Sequence, residues 1–166
     1  MILQKNNLNE ETLLRLKIAK VFFDLVKEKM GKNFSTAFIF GSTCRNQAKE
    51  HSDIDIVFVL KRGSKEERRR LNSPEGGIWD KDRHGMVLMV QFEQYITIYR
   101  RQLESDYRVP ISPYYYYPNN KHNDGICFLN GNLSSLKNEK DHQKLFKKVI
   151  EGAVHYPRDF EKLGIL

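Results

Sequence analysis

A chain of 166 residues with 40% apolar and 30% charged residues predicts one domain with a buried core beneath a solvated surface. Lys and Arg number 28 against 21 Asp and Glu, a formal net charge of +7 that favours anionic partners such as nucleotides or nucleic acid. No apolar run approaches the ~20 residues of a membrane span. Residues 1–9 lack a secretory pattern, and Cys44 and Cys127 lack metal-ligand spacing, so a membrane protein, a disulfide scaffold and a zinc finger are excluded and a cytoplasmic protein is expected.

Asn9 can cap a first helix, with Glu10 and Glu11 at the positive end of its dipole. Leu14, Ile18, Val21, Phe22, Leu25 and Val26 fall at helical spacing and predict its buried stripe, and Gly31 ends it. Thr36 to Phe40 reads as a strand that stops at Gly41, followed by a brief helical turn over Thr43 to Ala48. Ile54 to Leu60 is a continuous apolar run, the pattern of a central strand covered on both faces. Ser64 and Glu67 form a capping box that starts a short basic helix to Leu71, and Ser73 to Gly85 is a loop. Met86 to Phe92 reads as a third strand and Tyr95 to Glu104 as a helix. Pro110 and Pro113 break the next stretch, Asn119 to Gly125 is a loop, and Ile126 to Leu129 suits an edge strand. Asp141 to His155 closes the chain as a helix with Leu145, Val149 and Ile150 on its apolar side. This alternation of helix and strand argues for a mixed α/β sandwich.

One constellation carries chemistry. Phe38-Ile39-Phe40-Gly41-Ser42 is followed, after ten residues, by Asp53-Ile54-Asp55. Two residues apart on a strand, Asp53 and Asp55 point to one face with side-chain origins ~6.5 Å apart. Neither has an obvious Lys or Arg beside it on the strand, which makes the pair a poor core element and a good holder of Mg²⁺, a hard cation that prefers carboxylate and phosphate oxygens. Gly41 and Ser42 stand where a strand gives way to a helical turn, whose N–H groups can hold phosphate oxygens. Arg45, one turn on, can reach the same anion with a fork of donors. Metal holders and a phosphate cradle on adjacent strands are the parts needed for in-line attack on a nucleoside triphosphate.

On these residues the chain resembles the nucleotidyltransferase superfamily of DNA polymerase β, in particular its minimal and antibiotic-modifying branches. The match lies in Gly41-Ser42, ten intervening residues that include Arg45 and Ser52, and Asp53-Ile54-Asp55. A looser similarity runs through Leu88-Met89-Val90-Gln91-Phe92-Glu93 and Glu104-Ser105-Asp106-Tyr107, which look like the corresponding stretch of kanamycin nucleotidyltransferase. The resemblance implies an α+β nucleotidyltransferase fold, a mixed β-sheet flanked by helices, over residues 1–131, with a helical segment over 132–166 packed on it. It implies Mg²⁺-dependent transfer of a nucleoside monophosphate from an NTP to an acceptor hydroxyl on a small molecule, such as an antibiotic, or on a protein. Asp53 and Asp55 would be the catalytic metal ligands, with Gly41, Ser42, Arg45 and Ser52 around the nucleotide.

The same resemblance places a third carboxylate on the next strand, where Met89 falls, and a thioether cannot replace a carboxylate toward Mg²⁺. Glu93 is the nearest acid, and it could serve as a metal ligand only if a bulge or another register brought it back. The chain is also too short for the helical domain that supplies a general base in the kanamycin enzyme. A second copy or a separately encoded helical partner is the expected complement. The alternative is a degenerate relative that binds a nucleotide or a protein, as in toxin–antitoxin pairs. Nucleic acid ranks third, on net charge alone. The basic cluster of Lys61, Arg62, Lys65 and Arg68 to Arg70 reads as a solvated helix face or a phosphate contact. Tyr114 to Tyr117 reads as rings packed on the core or as a stacking surface for a base. Cys44 reads as a small buried filler.

Overall fold

In the computed structural model, which describes residues 3–60, 83–116, 126–128 and 147–165, helix α1 spans Glu10–Met30. The Asn9 side chain accepts a hydrogen bond from Thr12 N at 2.6 Å, and Gly31, at φ +53°, ends the helix as expected. The buried stripe is rotated from the expected one. Leu14 and Val21 are exposed, while Arg15, Leu16, Ala19 and Phe23 turn inward beside Ile18, Phe22 and Val26. The sheet decides this rotation, because the Phe58 ring meets both Phe22 and Phe23 edge-on at 5.3 and 5.4 Å.

Strand β1 is Phe34–Phe40 and β2 is Ile54–Leu60. A short turn, α2, covers Gly41–Cys44 between them, so it begins at the glycine and ends before the expected Ala48. Residues expected as a third strand, Met86 to Phe92, instead belong to a long helix α3, Arg83–Tyr107, which also takes in the end of the loop expected to reach Gly85. After it come β3, Ile111–Tyr116, and β4, Ile126–Phe128. Residues 147–150 are helical, but Gly152 adopts φ +72° and the expected continuation to His155 becomes β5, Val154–Tyr156. Helix α4, Arg158–Leu163, follows. The expected helix from Ser64 with its basic cluster, and the loop over 119–125, lie outside the described residues.

The described strands form one mixed sheet in the order β4-β3-β2-β1-β5, flanked by helices. β2 is parallel to β3, and all other neighbours are antiparallel. β2 is central, as its uninterrupted apolar run predicts, and Ile56 to Leu60 are all buried. Alternation divides the strand. Ile54, Ile56, Phe58 and Leu60 face the layer of α1 and α3, where Phe92 packs on Phe58 at 5.2 Å. Asp55, Val57 and Val59 face the other way, toward Phe38, Phe40, Tyr114 and Val149. No helix among the described residues is long and apolar enough to cross a membrane.

Candidate functional site

Register puts the site together. Phe40, the last residue of β1, pairs with Asp55, and Asp55 pairs on its other side with Ser112 of β3. Paired residues on neighbouring strands share a face, so the carboxylate of Asp55 lies between the start of α2 and the start of β3. Gly41 has φ +69°, and a Cβ added there would fall 2.1 Å from Asp55 Oδ2. The carboxylate therefore rests against the glycine backbone at the bend, in space that any other residue would fill. Asp53 lies one residue before β2, and its Oδ2 accepts a hydrogen bond from the Ser112 hydroxyl at 2.7 Å.

Electrostatics match the geometry. Neither Asp53 nor Asp55 forms an ion pair among the described residues. Burial, with the charge of Asp53 beside it, pushes the Asp55 carboxyl up to about 6, and Arg45 only partly opposes this. Two half-buried acids that repel each other form a site that a divalent cation would relieve. Mg²⁺ is commonly held by one or two carboxylates with substrate phosphates completing the shell, so these donors fit it when a nucleotide is present. No group of three or more His, Cys, Asp or Glu that could hold a metal occurs among the described residues.

The segment from the bend to Asp53 is held by α1. Asn9 N donates to Asn46 Oδ1 at 2.9 Å, its Nδ2 donates to the Asn46 carbonyl at 3.0 Å, and Asn46 Nδ2 donates back to the Asn7 carbonyl at 2.6 Å. Asn46 itself is left-handed at φ +56°, a conformation asparagine tolerates. Further on, Arg15 is fully buried. Its Nε donates to the Ser52 carbonyl at 2.9 Å, Nη2 to the Glu50 carbonyl at 3.0 Å, and Nη1 to the Glu11 carbonyl at 3.0 Å and to the Glu11 carboxylate. The sequence reading missed both this arginine and Ser112, whose partners beside the aspartates lie 35 to 59 positions away.

The sequence-predicted site residues separate accordingly. Gly41, Asp53 and Asp55 converge, and Ser42 and Arg45 stand in the same turn, with the Arg45 Nε donating to Gln47 Oε1 at 3.2 Å. The Ser52 hydroxyl closes its own turn by accepting from Lys49 N at 2.9 Å. Met89 and Glu93 are corrected. Both belong to α3 on the far side of the sheet from Asp55, because Phe92 between them packs on the opposite face of β2. Glu93 is therefore no ligand for this pair, and the strand that flanks β2 presents Ser112 instead.

Tyr114, two residues along β3, sits half-buried with its ring 5.4 Å from that of Phe40. Burial and the charges of Asp55 and Asp53 push its hydroxyl up, so it keeps its proton at neutral pH. Cys44 is buried and donates its Sγ–H to the Gly41 carbonyl at 3.2 Å. Burial, opposed by Arg45 and supported by Asp55, leaves its thiol raised, which suits the filler role.

A family model described as Polymerase beta, Nucleotidyltransferase matches residues 17–101, just over half of the chain, and takes in the glycine–serine bend and both aspartates. No curated protein and no solved structure gives a significant match.

Proposed function

This chain belongs to the polymerase beta nucleotidyltransferase family, and from that premise we propose that it moves a nucleoside monophosphate from an Mg²⁺-bound NTP to an acceptor hydroxyl. The observation that carries the proposal is the Asp55 carboxylate resting against Gly41, with Asp53 beside it and no cation pairing either acid among the described residues. Asp53 and Asp55 would hold the cation, which supplies neutralising charge to the phosphates. The turn at Gly41 and Ser42 would seat the triphosphate, and Arg45 would offer a second positive group to the departing pyrophosphate. The acceptor is a small molecule or a protein side chain. A second copy or a separately encoded helical partner would be the complement that completes the site. Incubation with labelled NTP, Mg²⁺ and candidate acceptors tests the proposal, with Asp53→Asn as control. Transfer should fall at least about 100-fold in the variant, in line with losing direct stabilisation of developing charge. Label transfer that survives the substitution would refute this mechanism.

A second reading, nucleotide binding without transfer, is favoured by one feature: Ser112 stands beside the aspartates where the resemblance calls for a third acid. Ser112→Asp separates the readings. If the pair needs a third carboxylate, this variant should bind divalent cation about tenfold more tightly and gain transfer activity. If the native site already works with two, wild type will transfer label and the added charge will bring no gain in turnover. Acceptor class can be narrowed by salt. Binding to RNA or DNA should weaken steeply between low and moderate salt if nucleic acid is the acceptor.

A further inference from the structure

We infer that Arg15 is a positioning residue for the metal-binding aspartates, an inference that rests on the carboxylate reading above and extends it to a residue outside the matched family segment. Asp53 precedes the regular strand. The backbone ladder takes hold at Ile54, whose N–H donates to the Pro110 carbonyl at 2.9 Å. Upstream, residues 45–53 hold no strand or helix pairing, so something else must fix the peptide plane that leads into Asp53. Arg15 does this directly. Its Nε binds the carbonyl of Ser52, the residue joined to Asp53, and Nη2 binds the carbonyl of Glu50 one turn earlier.

The fork is itself oriented. Nη1 is held by the carbonyl and the carboxylate of Glu11 one helical turn back, so the planar guanidinium has partners on all three nitrogens. The hydroxyl of Ser112 then fixes the carboxylate at its far end. Mg²⁺ tolerates little departure from octahedral geometry, and an acid on an unpaired loop would lose affinity by wandering. A lysine at this position keeps the charge but cannot bridge the two carbonyls and Glu11 in one plane. Arg15 thus touches neither cation nor nucleotide and acts through the backbone of Asp53.

Mn²⁺ binding, followed by the loss of the free-ion signal in electron paramagnetic resonance on the full chain with a non-hydrolysable NTP analogue, without acceptor and corrected for the ion the analogue holds alone, tests the inference apart from any turnover. Wild type should bind Mn²⁺, and Asp53→Asn should abolish the binding. Arg15→Lys should weaken it at least about tenfold under conditions where melting shows the protein folded. Glu11→Gln, at a side chain 40% exposed, keeps the shape and the guanidinium's other partners, should weaken it about threefold and serves if Arg15→Lys does not fold. A folded Arg15→Lys variant, or Glu11→Gln in its place, that melts lower yet binds Mn²⁺ with wild-type affinity would reduce Arg15 to a structural residue and overturn the inference. Absence of Mn²⁺ binding in wild type would overturn the carboxylate reading, and this inference with it.

Discussion

Asp55→Asn should make the divalent-free protein more stable at pH 7 while removing its divalent-dependent nucleotide binding. The carboxyl of Asp55 is raised from 3.8 to about 6 by burial and by the charge of Asp53. The folded state therefore holds a proton between those values that the unfolded chain has given up. The stability contributed by the protonated acid is complete below about pH 4 and is lost as pH rises through about 6. At pH 7 the group is ionised against its surroundings. After allowance for solvent screening of a half-exposed group, this costs about 1–2 kcal/mol. Asparagine has the same shape without the charge, so the melting temperature should rise by about 2–6 °C at pH 7. The gain should shrink toward zero at pH 4, where wild type is protonated as well. Scanning calorimetry at the two pH values, in chelator, checks this directly. Equal melting temperatures at pH 7 would mean that the two acids are not in conflict. In wild type, Mg²⁺ should restore what the charge removes, and its binding should fade as pH falls through about 6.

Gly41→Ala is the second substitution of large effect. Alanine at φ +69° carries about 1–2 kcal/mol of backbone strain. Its methyl would also fall 2.1 Å from Asp55 Oδ2 and 3.0 Å from Cγ. The carboxylate would have to leave the bend, and total destabilisation should reach about 2–4 kcal/mol with nucleotide binding lost. A double-mutant cycle isolates the contact. In an Asp55→Ala background the same change should cost only the strain, so chemical denaturation of the four proteins should show coupling of about 1–2 kcal/mol. Additive effects would show that glycine serves the turn alone and that the carboxylate does not lie against it.

The parts of the site nearest in sequence were readable in the amino acids, because local rules govern them. Asn9, Gly31 and Gly41 sit at element ends where side chain and backbone geometry act together. Asp53 and Asp55 are conspicuous because charge interrupts an apolar strand. The stretch from Met86 to Phe92 misleads because a short apolar run suits a strand or a buried helix equally. A wider window would have settled it. Phe92, Ile96 and Leu103 are buried and Tyr95 and Tyr99 half-buried, a helical stripe that runs straight through the expected end of the strand at Phe92. That error moved the expected third acid to Met89 and hid Ser112, whose place depends on β3 pairing with β2. Arg15 was invisible for a different reason. A long cationic side chain inside a helix reads as solvated surface until tertiary carbonyls claim it. The same applies to Leu14 and Val21, which only the position of Phe58 against Phe22 and Phe23 turns outward.

The pairing of β5 with β1 joins Ala37, Phe38 and Ile39 to Tyr156, His155 and Val154, more than a hundred residues downstream. During synthesis on the ribosome, the hydrogen-bonding flank of β1 stays open until those late residues emerge and dock. An open flank of that composition invites other nascent chains to add a strand of their own. Shortening the C-terminus before Val154 should therefore shift the product toward inclusion bodies even though Gly41, Asp53 and Asp55 all remain.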